Sequence, residues 1–464
     1  MAKILISNGT VITMDAERRI LKNGAVLVEN DRIAWVGKAS RVSAAASKGA
    51  RKVDASGKVV MPGLIDSHVH NVQSLARGIA DEIDLIGWMH ERIFPYEVAM
   101  TQEDTYWSAM MTCVEMIRTG TTCVADPGSY LMDSVGRAWE ESGVRGTLCW
   151  AGADQWSEDR ALPEGFRGKL TTDETMRAEE ALVERWHGKA KGRIRVSGGV
   201  RVEPNCTPEL LQRVNELAER KDLIVQFHAC VNEDQVNWVR KRWGKPTIEW
   251  MDSLGVLTGR WLLTHMAAVT DRDVDLLKER GTNVCHNPGA TLHGAYGAVS
   301  RGKFPEMIEK GVTVVLGCDS TAANNSLDMF RTLYQAATCH KEARIVPDLI
   351  LPERALEMAT VDAAKALRWP EIGSLEKGKK ADVIVVDCAK TNWTPNYEFA
   401  LVPNLVYSGD GRDVETVIID GEIVYKDRKF TRIDEAEVNR QAQKAGERIL
   451  RRLPYRLKPR WPTV

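Results

Sequence analysis

The segment Val60-Met-Pro-Gly-Leu-Ile-Asp-Ser-His-Val-His70 decides the fold of this 464-residue chain. It begins as an apolar strand and ends in polar side chains, among them His68 and His70. Side chains two positions apart on a strand point the same way, so both imidazoles can reach one ion. In a barrel of parallel strands the C-terminal strand ends converge on one face, which carries the active site. We therefore expect this segment to supply the first strand of such a barrel.

Three later apolar runs end in the same manner, at Phe227-His228, Thr264-His265 and Cys318-Asp319. Amphipathic helical patterns separate the predicted strands, which indicates an α/β fold, specifically a (β/α)8 TIM barrel. An open doubly wound sheet is the alternative, but no Gly-x-Gly-x-x-Gly motif follows the first strand. The strands that we predict for the barrel are Val59–His70, Thr121–Asp126, Gly143–Ala151, Arg193–Val200, Leu223–His228, Trp261–His265, Thr282–Asn287 and Val312–Asp319.

Both ends of the chain carry short alternating strands separated by turn signals such as Asn-Gly and Asp-Gly. The same pattern of short strands at both ends predicts one small composite β-sandwich domain, formed by residues 1–61 and 373–464. The second part also holds a predicted C-terminal helix and tail. The barrel, residues 62–372, is then inserted between the two parts.

Composition narrows the class of partner. Lys and Arg number 63 against 64 Asp and Glu, a net charge of −1, which removes the electrostatic case for nucleic acid or an anionic membrane surface. No apolar run of about 18 residues predicts a membrane span. The nine cysteines stand singly, without a Cys-x-x-Cys pair, as in a reduced cytoplasmic protein. We expect a cytoplasmic protein whose partner is a small-molecule substrate.

The polar strand ends also predict a metal site. His68, His70, His228 and Asp319 form a set of three nitrogen ligands and one oxygen ligand, with a position left open for water. Hydrogen-bonded core histidines are the alternative, since a single His-x-His arises readily by chance. The conjunction of several such strand ends in barrel order favours the metal. Zinc is the expected ion, and iron, manganese or cobalt would use the same ligands.

The same motifs resemble the amidohydrolase superfamily. Val60–His70 is similar to its first-strand signature, Gly317–Met329 to its eighth-strand signature, and Ile372–Asp382 to its return into the composite sheet. The resemblance covers nearly the whole chain. It is closest to the subgroup of triazine hydrolases, adenosylhomocysteine, guanine and cytosine deaminases, and phenylurea and molinate hydrolases. We also expect a homo-oligomer.

The resemblance implies a role for each polar residue. His68, His70, His228 and Asp319 become the metal ligands, and Asp319 also accepts a proton from the attacking water and passes it to the leaving group. His265 orients the water or polarises the bond that is cleaved. Binuclear relatives use a carboxylated lysine on strand four. The predicted strand Arg193–Val200 contains no lysine, so one divalent ion per chain is expected.

Departures from the family pattern bear on the substrate. Ring deaminases carry a Glu three residues after the strand-five histidine, where this chain has Val231, and many carry a histidine in place of Arg201. With Trp88, in the long segment after strand one, these residues form the predicted substrate pocket. Glu233 is expected to be a solvent-facing carboxylate.

These departures favour a metal-dependent hydrolase that cleaves the C–N or C–S bond of a small neutral urea, carbamate, thiocarbamate or amide, with a role in xenobiotic degradation. The alternative is an aminohydrolase, a deaminase or dechlorinase of a purine, pterin or s-triazine ring. A non-catalytic scaffold on the same fold is a third hypothesis, disfavoured because no ligand is lost.

Overall fold

The computed structural model describes residues 3–156 and 161–462. Its strands are β1 Lys3–Ile12, β2 Ile20–Glu29, β3 Arg32–Lys38, β4 Arg51–Asp54, β5 Lys58–Pro62, β6 Leu64–Asp66, β7 Thr121–Ala125, β8 Arg145–Cys149, β9 Ile194–Val202, β10 Val225–Ala229, β11 Trp261–His265, β12 Asn283–His286, β13 Val314–Leu316, β14 Val383–Asp387, β15 Val414–Ile419, β16 Glu422–Lys426 and β17 Lys429–Phe430.

Helices connect the barrel strands, and a long helix follows the last strand of the composite sheet. They are α1 Ala44–Ser47, α2 Leu85–Gly87, α3 Phe94–Ala99, α4 Gln102–Arg118, α5 Met132–Ser142, α6 Thr172–Trp186, α7 Pro208–Lys221, α8 Glu233–Trp243, α9 Thr247–Ser253, α10 Asp271–Arg280, α11 Pro288–Gly294, α12 Phe304–Glu309, α13 Met329–Arg344, α14 Pro352–Met358, α15 Val361–Ala366, α16 Leu401–Tyr407 and α17 Glu435–Arg452. A π-helical turn, Trp88–Ile93, joins α2 to α3.

The strands β6 to β13 form one eight-stranded parallel sheet in which each strand pairs with the next in sequence. Backbone hydrogen bonds also join its two ends, because Ser67 N–H donates to the Leu316 carbonyl and Asp319 N–H to the His68 carbonyl. The sheet therefore curls into a barrel, and the predicted (β/α)8 architecture is confirmed.

The remaining strands form a second, mixed sheet from both chain ends, in the order β17-β16-β15-β14-β5-β1-β2-β3, with β4 beside β1. Its central pairing is antiparallel, between β5 from the N-terminal part and β14 from the C-terminal part. The predicted composite β-domain is thus present. Its exact boundaries with the barrel, at residues 61/62 and 372/373, stay a prediction.

The predicted first barrel strand, Val59–His70, divides between the two sheets. Its first part is β5 of the composite sheet, and its second part is β6 of the barrel. Gly63 lies at the junction, where a Cβ would come within 2.1 Å of the Thr122 hydroxyl oxygen. The Thr122 side chain packs directly against the Gly63 backbone, so this position requires glycine, and one apolar run can serve both sheets.

Burial explains why the barrel strands carry so little polar sequence. Their side chains pack on one side against the surrounding helices in a large apolar cluster, and on the other side against each other inside the barrel. Among the described residues, no helix is long and apolar enough to cross a membrane.

Candidate metal centre and substrate pocket

Four histidines and one aspartate meet at the C-terminal end of the barrel. His68 and His70 follow β6, His228 lies in β10, His265 ends β11, and Asp319 follows β13. The ligand atoms of His68, His228 and His265 lie within 4.8 Å of one another, as do those of His68, His70 and Asp319. The structure therefore brings together the predicted metal ligands and the predicted catalytic residues.

The imidazoles are held in the form that binds metal. Burial lowers the pKa of His228 to about 4 and that of His265 to about 3, and it holds the pKa of His68 and His70 well below the usual value. Neutral histidine offers one nitrogen lone pair, which is what a metal requires. His228 Nδ1–H donates to the Arg201 carbonyl at 2.7 Å, which leaves Nε2 free to face the site.

The spacing of the nitrogens fits a divalent ion. His228 Nε2 and His70 Nε2 lie 3.2 Å apart, close to the separation of two ligands on one tetrahedral ion with bonds of about 2.0 Å. His68 Nε2 is buried and has no hydrogen-bond partner among the described residues. A buried orphan nitrogen is costly, and an ion would satisfy it. The donor set of nitrogen and carboxylate suits zinc.

The two carboxylate oxygens of Asp319 face different histidines. Oδ1 lies 3.9 Å from His68 Nε2 and 3.8 Å from His70 Nε2, whereas Oδ2 lies 3.9 Å from His265 Nε2. Burial raises the pKa of this carboxyl to about 7, although the Ser320 N–H donates to it. A carboxylate placed between ligands and a separate imidazole is suited to receiving and returning a proton.

A cavity opens above these residues. The predicted pocket residues Trp88, Arg201 and Val231 all line it. Trp88 is fixed by its indole N–H, which donates to the Ala322 carbonyl at 3.1 Å. Leu85 and Met89 continue the same apolar wall.

Arg201 is committed to protein partners. Its guanidinium donates to the Tyr130 hydroxyl at 2.8 Å and stacks over the Phe94 ring at 4.7 Å from the centroid. It also lies 3.7 Å from Glu97, a buried carboxylate on the same cavity. Arg201 therefore compensates the charge of Glu97 rather than standing free for a substrate anion.

Sequence reasoning missed several polar groups on the cavity, namely Gln73, Glu97, Gln235 and Tyr296. Three buried oxygens, Gln73 Oε1, Glu97 Oε2 and Gln235 Oε1, have no hydrogen-bond partner in the described part of the chain. Gln73 follows the His-x-His motif by three residues, and this short spacing is the one sequence signal that could have indicated it. The others come from helices and a loop whose positions no local pattern indicates.

Glu233 does not reach the cavity. It is the first residue of α8, its side chain is 64% exposed, and it pairs with Arg301 at 3.1 Å. Its carboxylate therefore faces solvent, and it is in no position to replace a carboxylate at Val231.

A (β/α)8 barrel that carries a His-x-His pair after its first strand, and an aspartate after its last, defines the metal-dependent hydrolases of small molecules. The chain belongs to the amidohydrolase family, whose model matches residues 59–424. It is accordingly an enzyme, a metal-dependent hydrolase of carbon–nitrogen bonds other than peptide bonds, which sets aside the non-catalytic scaffold.

Several named relatives match over all or nearly all of their length. The 5'-deoxyadenosine deaminase of Methanosarcina mazei is 37% identical over 454 residues, 98% of this chain and 100% of that protein. A 5-methylthioadenosine/S-adenosylhomocysteine deaminase of Syntrophobacter fumaroxidans is 36% identical over 439 residues, 94% of this chain and 96% of that protein. An adenosine deaminase from Xanthomonas campestris, solved with bound zinc, superimposes with a TM-score of 0.89 at 26% identity, covering 97% of this chain and 98% of that one.

Proposed function

We propose that this enzyme hydrolyses the exocyclic amino group of an adenosine-type nucleoside and releases ammonia. The observation that carries the proposal is the full-length similarity, at 37% identity, to a 5'-deoxyadenosine deaminase. The sequence favoured a urea or carbamate over an aminated ring. The relatives support an aminohydrolase of a ring better than a hydrolase of a urea or carbamate. We therefore propose neither a urea or carbamate substrate nor a role in xenobiotic degradation.

The hydrogen-bonding character of the cavity supports a nucleoside. Gln73 and Gln235 each present a buried amide oxygen that has no hydrogen-bond partner among the described residues, and Glu97 Oε2 has only its ion pair with Arg201, so these oxygens favour a ligand that brings donors. A nucleoside carries hydroxyl donors on its sugar and an amino donor on its base, whereas a thiocarbamate with a fully substituted nitrogen has none. The apolar wall of Leu85, Trp88 and Met89 suits a planar base or an unsubstituted 5' carbon.

His68, His70, His228 and Asp319 would hold one divalent ion, which we propose to be zinc. When bound, such an ion lowers the pKa of water and polarises the carbon–nitrogen bond. Asp319 takes a proton from the attacking water and returns it as the reaction proceeds, because its carboxylate lies between the ligand histidines and His265. His265, which faces Asp319 Oδ2, orients the water.

A panel of substrates tests the proposed function. The purified enzyme is incubated with 5'-deoxyadenosine, 5'-methylthioadenosine, an aryl urea, a thiocarbamate and an amino-s-triazine, while ammonia and larger amines are measured separately. We expect ammonia and the inosine-type product from the nucleosides. The Asp319→Asn variant is the matched inactive control. Release of an amine or thiol from the urea or thiocarbamate alone would contradict the proposal.

Cytoplasmic location and homo-oligomeric assembly stay predictions from the sequence. The same holds for one ion per chain, which depends on the absence of lysine from β9.

A further inference from the structure

Deamination of a ring needs a hydrogen-bond donor at the ring nitrogen, since electrons move there when water adds to the neighbouring carbon. Val231 stands three residues after His228, where the ring deaminases that this chain resembles carry a Glu, and its side chain is 3% exposed and apolar. Glu233 faces solvent. The donor must therefore come from another element that borders the cavity.

Tyr296 borders the cavity on the side of the catalytic pair. Its ring lies edge-on to His265, with centroids 5.8 Å apart and planes at 81°. Asp319 and Val231 line the same cavity. Within the described residues its hydroxyl makes no hydrogen bond to the protein, so the O–H is free to donate to a bound molecule.

The loop after β12 is built to hold this ring in place. Helix α11 ends at Gly294, and Ala295 then adopts a left-handed conformation with φ 54°, which turns the chain back. Thr291 fixes the turn, because its carbonyl accepts from Tyr296 N–H at 3.3 Å and its hydroxyl from Ala298 N–H at 3.0 Å.

Gly294 makes room for the tyrosine. A Cβ at this position would lie 2.5 Å from Cε1 of Tyr296 and 2.9 Å from its hydroxyl oxygen. The ring therefore rests directly on the glycine, and an alanine there must displace it. Burial also raises the pKa of Tyr296 far above neutrality, which keeps its hydroxyl protonated.

We propose that the Tyr296 hydroxyl donates a hydrogen bond to the ring nitrogen of the substrate, in the role that Val231 cannot perform. This rests on the proposed function. The water oxygen bonds to the amino-bearing carbon, and the C=N electron pair moves to the ring nitrogen, where Tyr296 stabilises it. Asp319 carries one water proton to that nitrogen, whose new N–H then donates to the Tyr296 oxygen, and it carries the second proton to the amino group, which leaves as ammonia. Tyr296 neither gains nor loses a proton over the turnover.

Tyr296→Phe tests the hydroxyl alone, because the ring against His265 is kept. We expect kcat for 5'-deoxyadenosine to fall by about 10²-fold while KM changes less than about threefold. Tyr334→Phe, on the exposed face of α13, is the matched control and should retain wild-type kcat. Gly294→Ala keeps the hydroxyl but displaces it, and should lower kcat at least about tenfold.

A binding measurement gives a readout that does not depend on turnover. A nucleoside analogue with a tetrahedral, hydroxyl-bearing carbon at the reacting position mimics the transition state. Calorimetry should show that Tyr296→Phe weakens its binding by about the factor lost in kcat, while binding of 5'-deoxyinosine is nearly unchanged. Equal analogue affinity in wild type and variant would overturn the proposal.

The two proposals fail in different ways. If the wild type deaminates 5'-deoxyadenosine and Tyr296→Phe matches it in kcat, the role of Tyr296 is wrong and the proposed function stands. If the wild type hydrolyses only another member of the panel, the proposed function is wrong. Tyr296→Phe is then compared with wild type on that substrate, where an unchanged kcat also overturns the role of Tyr296.

Discussion

Asp319 has different neighbours at its two carboxylate oxygens, which suits the two roles, metal ligand and proton carrier, that we propose for it. Oδ1 faces His68 and His70, and Oδ2 faces His265. His265 also lies near the proposed ligand histidines. We place it outside the ligand set because it faces the other oxygen of Asp319, Oδ2.

Two asparagine variants test this assignment. We expect the wild type to hold about one divalent ion per chain by elemental analysis. His265→Asn should keep nearly all of it and lose kcat by about 10²-fold or more, since a positioning group is removed. Asp319→Asn should lose activity further and part of the metal, because the amide keeps an oxygen but not the base. His187→Asn, on the protein surface, is the control. Loss of the metal from His265→Asn would make His265 a ligand.

The C-terminal helix α17 is fastened to the start of α4 by a single buried carboxylate. Arg448 and Arg452 donate to Asp104 at 2.7 Å, and Asp104 also closes a capping box with Thr101. Burial alone would raise the pKa of Asp104, but the hydrogen bonds from Arg452, Thr101 and Arg448 outweigh it and lower this pKa below the usual value.

Asp104→Asn should therefore reduce the free energy of unfolding by about 2–3 kcal/mol at pH 7. A depressed folded-state pKa stabilises the protein above the unfolded pKa, and this contribution is lost as pH falls through the folded-state value. The difference between wild type and variant should shrink below about pH 4, measured by urea denaturation. Glu103→Gln, an exposed neighbour that also meets Arg448, should change little at either pH. If the difference in unfolding free energy between wild type and Asp104→Asn stays constant with pH, this explanation is wrong.

A buried arginine forms ion pairs between the barrel and the composite sheet. Arg145 of β8 donates to Asp382 at 2.6 and 3.0 Å and to Asp420 at 2.9 Å. Asp382 directly precedes β14 and Asp420 directly follows β15, and both strands belong to the composite sheet. The two acids lie far from Arg145 in sequence, so this contact forms only when both parts have folded.

Arg145→Met should lower the free energy of unfolding by about 3–5 kcal/mol, because two buried carboxylates lose their cation. Scanning calorimetry should show a lower unfolding temperature than in Arg185→Met, which removes an exposed pair with Asp133. Lys380 also meets Asp420, at 2.9 Å, and limits the loss at that acid. Equal unfolding temperatures for the two variants would show that the arginine does not join the two parts.

The sequence by itself determined the barrel, the composite sheet and the convergence of His68, His70, His228 and Asp319. This was possible because strand periodicity sets which way a side chain points, and parallel pairing places every strand end on one face. Both effects follow from local backbone geometry, so a motif of a few consecutive residues is enough to predict them.

Tertiary structure alone decided what surrounds that centre. Val231 taken by itself favoured an acyl substrate, because no pattern indicated that Glu97 from α3 and Tyr296 from the loop after β12 border the same cavity. Arg201 was a predicted substrate group, yet its guanidinium is committed to Tyr130 and Glu97. The positions of such side chains depend on packing between segments distant in sequence, and this packing leaves no periodic signal in the chain.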